Sequence, residues 1–229
     1  MRKSAINLFC SALAAGMALA ATPALAADEL LDFKGNVCDA PGGACSDGAN
    51  ISQSYGDSSS VDVQYSTRSG PGNTSATDSN LYYWSGGYGD LTDVIWGGDN
   101  DLTGSPEIRF IASAGQLITL NSFDMAGWFG DYSSSARVYD LAYNLLYDTG
   151  AVVAPGQGHL SFMPGVSNAG GLILQWGPSG YNAGLDNISF SFTGGGAVPE
   201  PATWALMILG IGAVGASLRR RQVLAATPA

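Results

Sequence analysis

The chain has 229 residues, with 19 acidic side chains against 9 basic ones and a net charge of −10. That balance excludes an electrostatic nucleic-acid binder and a protein drawn to anionic membrane surfaces. The length is enough for one domain with a real core.

The chain opens MRKSAINLFCSALAAGMALAATPALA. Arg2 and Lys3 precede an apolar run from Ile6 to Ala21, and Ala24 and Ala26 form a small-x-small cleavage site. This order predicts a secretory signal peptide over residues 1–26, cut by signal peptidase after Ala26. Cys10 lies inside the signal and lacks a lipobox, so no lipoprotein is expected. Export leaves Cys38 and Cys45, in CDAPGGAC. An even pair in an oxidising compartment favours a disulfide, and the Pro-Gly-Gly between them makes the tight turn that closes so short a loop. Two thiols alone cannot fill a tetrahedral zinc site.

From Ala27 onward the apolar period is two, not 3.6. SVDVQYS puts Val61, Val63 and Tyr65 on one face. YYWSGGYGDL then gathers aromatics beside glycines. DNDLTG sets Asp99, Asp101 and Thr103 at alternate positions before Gly104, like the first half of a calcium loop. Phe110 occupies the twelfth position, where an EF-hand needs a bidentate carboxylate. The EF-hand reading fails. A different calcium loop helped by Asp90 or Asp93 stays open beside a plain Asx-turn. EIRFIA alternates through Ile108 and Phe110, while QLITLNSF and GLILQW read as more fully buried strands. NISFSF ends the series with Ile188, Phe190 and Phe192 on one face. Asp186-Asn187 just before it reads first as a turn, with calcium or a sugar as alternatives. No long amphipathic helix is expected. Many short strands between turn signals predict an all-β fold, a single β-sandwich of the jelly-roll type over residues 27–193. Residues 194–198 read as a Gly-rich linker.

Catalytic patterns are missing from the sequence. His159 is the one histidine, between a glycine turn and a strand, and is expected as a surface or packing residue. No Gly-x-Ser-x-Gly elbow and no His-Glu-x-x-His occurs. No spacing singles out a glycosidase-like carboxylate pair. The expectation is a protein that is not an enzyme. Aromatics are the remaining handle. Tyr82, Tyr83, Trp84, Tyr88, Trp96, Trp128, Phe129 and Tyr132 lie in or beside Gly/Asp-rich loops. Those that are exposed offer flat apolar faces with polar edges to sugar rings, and the others fill the core. Trp84, Tyr88 and Trp128 are the candidate ligand-binding residues.

The chain ends VPEPATWALMILGIGAVGASLRRRQVLAATPA. From Ala202 to Leu218 no residue is charged, a length of about 25 Å as helix and the short end of a membrane span. Arg219, Arg220 and Arg221 follow and are expected to stay cytoplasmic. Pro199, Glu200 and Pro201, the apolar segment with Trp204 and the arginine cluster resemble the PEP-CTERM sorting signal over residues 197–221. QVLAATPA after the arginines, residues 222–229, departs from the usual ending within a few residues. The resemblance implies recognition by exosortase, a membrane-embedded cysteine transpeptidase-like enzyme. It implies transient tethering in the inner membrane, processing near Pro199-Glu200-Pro201, and release or attachment outside the cell. Family members commonly occur in Gram-negative bacteria that make exopolysaccharide.

A second resemblance covers the body from Ile118 to Phe192. The course SFDMAGW, VYD, LDNISF is similar to carbohydrate-binding-like, galactose-binding-like jelly rolls. Its motifs are largely core and turn residues, so it speaks for the fold more than for a ligand. The expected role, taken with the sorting tail, is a cell-surface or matrix protein that binds or structures exopolysaccharide. The alternatives are a carbohydrate hydrolase using aspartates, or an acidic structural or adhesive protein with a protein partner. Between residues 27 and 197, Lys34, Arg68, Arg109 and Arg137 stand against 18 acids, a charge of −14. This charge suits solubility outside the cell, and structural calcium is the only cofactor it invites.

Overall fold

Side chains that alternate between core and solvent need a sheet beneath them, and this chain supplies little else. The computed structural model describes residues 27–98, 103–193 and 207–212. In chain order the strands are β1 (Ala27–Leu31), β2 (Val61–Arg68), β3 (Ala76–Asp78), β4 (Tyr82–Trp84), β5 (Val94–Trp96), β6 (Ser105–Ala112), β7 (Leu117–Gly127), β8 (Tyr132–Ser134), β9 (Ala136–Tyr139), β10 (Leu145–Asp148), β11 (Val152–Ala154), β12 (Leu160–Phe162), β13 (Val166–Ala169), β14 (Gly171–Trp176) and β15 (Ala183–Thr193). The body is all-β.

One sheet has the order β12-β7-β15-β5-β4, with β1 added to β15 and β13 to β7. A second has the order β10-β9-β14-β6-β2-β3, and β11 and β8 form a ribbon. Within these sheets the strand pairs are antiparallel. The inward faces of the two large sheets share one core. Val61, Val63, Tyr65, Ile108, Phe110, Leu172 and Leu174 come from the second sheet. Ile118, Leu120, Phe123, Leu185, Ile188 and Phe190 come from the first. Phe110 and Phe190 meet across the core with ring centroids 4.8 Å apart. Truncating either ring to alanine costs about 3–5 kcal/mol.

GLILQW is buried at every position, as expected. Leu172, Leu174 and Trp176 face the core, and Gln175 on the other side is covered by the chain near Gly72, whose N–H it accepts at 2.8 Å. QLITLNSF differs from the expectation. Ile118, Leu120 and Phe123 are buried, but Leu117 is 39% exposed. Thr119 and Asn121 on the other face are half-buried, so this half of β7 alternates.

Both long strands also change phase. In β15 the core positions run Leu185, then Ile188; in β7 they run Leu120, then Phe123. Each step is three residues instead of two. The register shifts between Asp186 and Ser189 and again between Ser189 and Phe190, so each strand holds an extra residue. Such bulges restore core-facing parity where simple alternation would turn it outward. Asn187 takes φ 50 in this stretch, a left-handed value that asparagine tolerates. Asp186-Asn187 is therefore a bulge within β15, not a turn at the start of a strand.

Cys38 and Cys45 are joined as a disulfide with Cα atoms 5.2 Å apart. Pro41–Gly43 forms the tight 3₁₀ turn between them, and Cys38 lies in the core. The bridge anchors a segment that has few strands of its own. At the other end, residues 207–212 are helical and exposed. Among the described residues no helix is long and apolar enough to cross a membrane. Several expected features lie outside the described residues: Ala24 and Ala26, Asp99 and Asp101, Pro199, Glu200 and Pro201, and Arg219, Arg220 and Arg221.

Candidate functional site

The first sheet has an outer face with a second, smaller core. β4 alternates, so Tyr83 faces the main core while Trp84 packs on the outer side. β5 does the same with Ile95 inward and Val94 and Trp96 outward. The chain between β4 and β5 folds back over this face and buries Tyr88 and Leu91 against Val94 and Ala126. Two glycines make the fold-back possible. A Cβ at Gly184 would stand 2.3 Å from Val94 Cγ1 and 3.0 Å from the Tyr88 ring. A Cβ at Gly89 would stand 1.9 Å from the Gly158 carbonyl oxygen, and Gly89 has φ +56 besides.

Around this small core the aromatics gather. Trp84 contacts Trp128 edge-on at 5.9 Å and Trp96 at 6.3 Å. Tyr181 meets Trp96 at 4.9 Å and Trp128 at 6.3 Å, and Tyr82 stacks on Trp96 at 4.9 Å. Phe129 extends the cluster beside Trp128 at 5.6 Å and is 78% exposed. Trp84, Tyr88 and Trp128, nominated from the sequence, thus come together, and Trp96 and Tyr181 complete the lining of one recess. Its cavity volume is about 10 Å³, room for a single water. Tyr88 is 2% exposed and forms the back wall; its hydroxyl donates to the Tyr181 carbonyl at 2.9 Å, and burial holds that hydroxyl above its ordinary pKa. The indole N–H groups of Trp96 and Trp128 are buried and find no acceptor among the described residues. Indole N–H groups usually find one when buried.

Next along the same face lies a polar cluster. Asp186 and Asp124 pair across β15 and β7, two residues from the Gly184–Ala126 pair under Tyr88. Asp124 accepts from Ser161 Oγ at 2.7 Å and from Asn187 Nδ2 at 3.0 Å. Asp186 is 3% exposed and accepts the Asn187 N–H at 2.6 Å. Burial pushes its carboxyl up to about 7, with Asp32 and Asp124 adding to the rise and Lys34 opposing it. His159 Nδ1 lies 2.7 Å from Asp90 and its Nε2 lies 3.9 Å from Asp124. The Asp90 hydrogen bond raises the imidazole pKa. His159 is thus a surface residue with a partner, and it clips the fold-back chain to β12.

Asp90 and Asp93, expected to help a calcium loop, are engaged elsewhere. Asp90 pairs with His159, and Asp93 accepts from the Tyr83 hydroxyl. Among the described residues no group of three or more His, Cys, Asp or Glu side chains is placed to hold a metal ion. A larger open groove of about 470 Å³ runs beside β2, lined by Gln53, Asp62, Gln64, Arg68, Ser79 and Asn80. No tryptophan lines it.

Sequence reasoning missed Tyr181, Asp124 and the Asp90–His159 pair. Asp124 leaves one signal, the single charge in an otherwise uncharged strand. Tyr181 leaves only its place in a Gly/Pro-rich loop.

Residues 197–221 match the PEP-CTERM protein-sorting motif. No curated protein matches the chain. The matched tail supports an exported protein, a substrate of exosortase, that is anchored at the membrane before processing.

Proposed function

We propose that this is a non-enzymatic exported protein that works at the cell surface or in the extracellular matrix, where it binds or structures exopolysaccharide. Its signal peptide sends it across the inner membrane, and exosortase then processes the tail near Pro199-Glu200-Pro201. The body is read as one β-sandwich of the jelly-roll type, its two large sheets sharing a core. The observation that carries the binding role is the aromatic surface on the outer face of the first sheet. Phe129, Trp128 and Trp84 present rings there, with Phe129 78% exposed. The recess is too small for a sugar ring, so the ring stacks on the rim.

Asp124 and Asp186 do not favour a hydrolase. Asp186 is buried, and Asp124 is held by Ser161 and Asn187. Glycan affinity electrophoresis on polysaccharides from native producers tests the binding role. Retardation that disappears in Trp128→Ala supports it, and equal mobility with every polymer contradicts it. Hydrolysis of any of these polymers that is lost in Asp124→Asn would contradict the non-enzymatic reading.

A further inference from the structure

We propose that, while the tail anchors the protein, the domain stands with its aromatic surface away from the bilayer and its opposite pole toward it. The part of this that names the outward partner rests on the glycan-binding reading; the orientation does not. β15 carries the geometry. Its first residue, Ala183, pairs with Gly127, and the Trp128 N–H donates to the Asn182 carbonyl at 2.8 Å. The start of β15 is therefore joined to the aromatic cluster. Its last residue, Thr193, lies four residues before the sorting motif begins at 197. Ten strand steps separate these ends, about 30 Å at roughly 3.3 Å per residue.

The pole around Thr193 is built from chain ends and turns. Thr193 pairs with Leu117, Leu117 with Ala169, and Ala27 with Phe192. Ala27, the expected first residue of the exported chain, thus leaves the domain beside the residue that leads into the tail. Both membrane signals depart from one pole. The nine residue steps from Thr193 to Ala202, the first of the apolar run, reach at most about 32 Å even when fully extended. Inverting the domain end over end, with Thr193 uppermost and the aromatic end at the bilayer, would need a connection stretched close to that limit. The aromatic surface then meets polymer outside the cell before the tail is cut, and the pole near Ala27 and Thr193 meets the membrane and its sorting enzyme.

The test uses the exported chain with its tail intact, inserted in phosphatidylcholine vesicles that contain an acceptor-labelled lipid. A donor dye is placed at Asp28→Cys near one pole, or at Ser85→Cys beside Trp84 near the other; both side chains are exposed. Energy transfer from position 28 at least double that from position 85 is expected. Equal transfer, or more from position 85, would overturn the proposal. Polysaccharide binding by the same vesicles is scored separately. Loss of orientation with binding retained defeats this inference alone, and correct orientation without binding defeats the glycan reading alone.

Discussion

Asp186 stands opposite Asp124 on neighbouring strands, and the two carboxyls occupy different environments. Asp124 accepts two side-chain hydrogen bonds and lies near His159, while Asp186 is buried beside it with a single backbone N–H donor. Burial pushes Asp186 up to about 7, against an ordinary value of 3.8. Between those values the unfolded chain has released a proton that the folded chain keeps. Stability therefore falls as pH rises from about 4 to about 7.

His159 adds to the same trend at higher pH. Its folded pKa lies above the ordinary 6.5, so its contribution is complete below that value and is lost as pH rises through the folded pKa. Asp90 and Asp140 work in another window, because hydrogen bonds lower both carboxyls below 3.8. Their contributions are present above that value and are lost as pH falls through the folded pKa. Thermal unfolding from pH 4 to 8 checks the balance. Asp186→Asn is expected to flatten the slope between pH 4 and 7 and to raise the melting temperature at pH 7. A slope that Asp186→Asn leaves unchanged would show that Asp186 titrates normally.

Trp128→Ala and Phe129→Ala are expected to weaken glycan binding by about tenfold each, the effect of losing roughly one aromatic stacking contact. Phe129 is largely exposed, so its variant should keep the parent melting temperature. Gly184→Val should instead unseat Tyr88 and destabilise the fold-back chain. Binding isotherms and melting curves on the three variants separate contact from support.

Glu107 is fully buried on the outer side of the second sheet. Arg68 donates to its Oε1 through Nε at 3.0 Å and through a terminal nitrogen at 2.8 Å. Gln175 and Tyr143 donate to its Oε2 at 2.6 and 2.9 Å. Glu107→Ala leaves these donors unpaired and is expected to cost about 3–5 kcal/mol. Urea unfolding at neutral pH reads the loss directly. A change within 0.5 kcal/mol, roughly that of an ordinary surface substitution, would contradict it.

Closing the eight-residue loop between Cys38 and Cys45 restricts the unfolded chain by about 2.5 kcal/mol. The double serine variant should lose about that much stability and, under non-reducing conditions, resemble the reduced parent. Equal stability of oxidised and reduced parent would contradict this.

Much of the fold was legible because alternation is local. Val61, Val63 and Tyr65, then Ile108 and Phe110, then Ile188 and Phe190 show their inward face in the sequence, and all are buried. The bulges were not legible. One extra residue near Asn121 or Asn187 turns alternation into what reads as a continuous apolar run or a turn. Trp84, Tyr88 and Trp128 were named from composition beside glycines. Their meeting depends on β4, β5, β7 and β15 sharing a sheet. Asp90 and His159 are 69 residues apart and meet through the same sheet order, which no local pattern announces.

On the proposed function, the chain is exported and processed at its sorting tail. Intact mass and C-terminal sequencing of the protein recovered outside its native cells test this most directly. The expected product starts near Ala27, ends near Pro199-Glu200-Pro201 and is two hydrogens light from the Cys38–Cys45 bridge. Alanine at Pro199, Glu200 and Pro201 should leave a longer, membrane-held product. A full-length C-terminus that still carries Arg219, Arg220 and Arg221 would contradict processing and leave a permanently anchored protein.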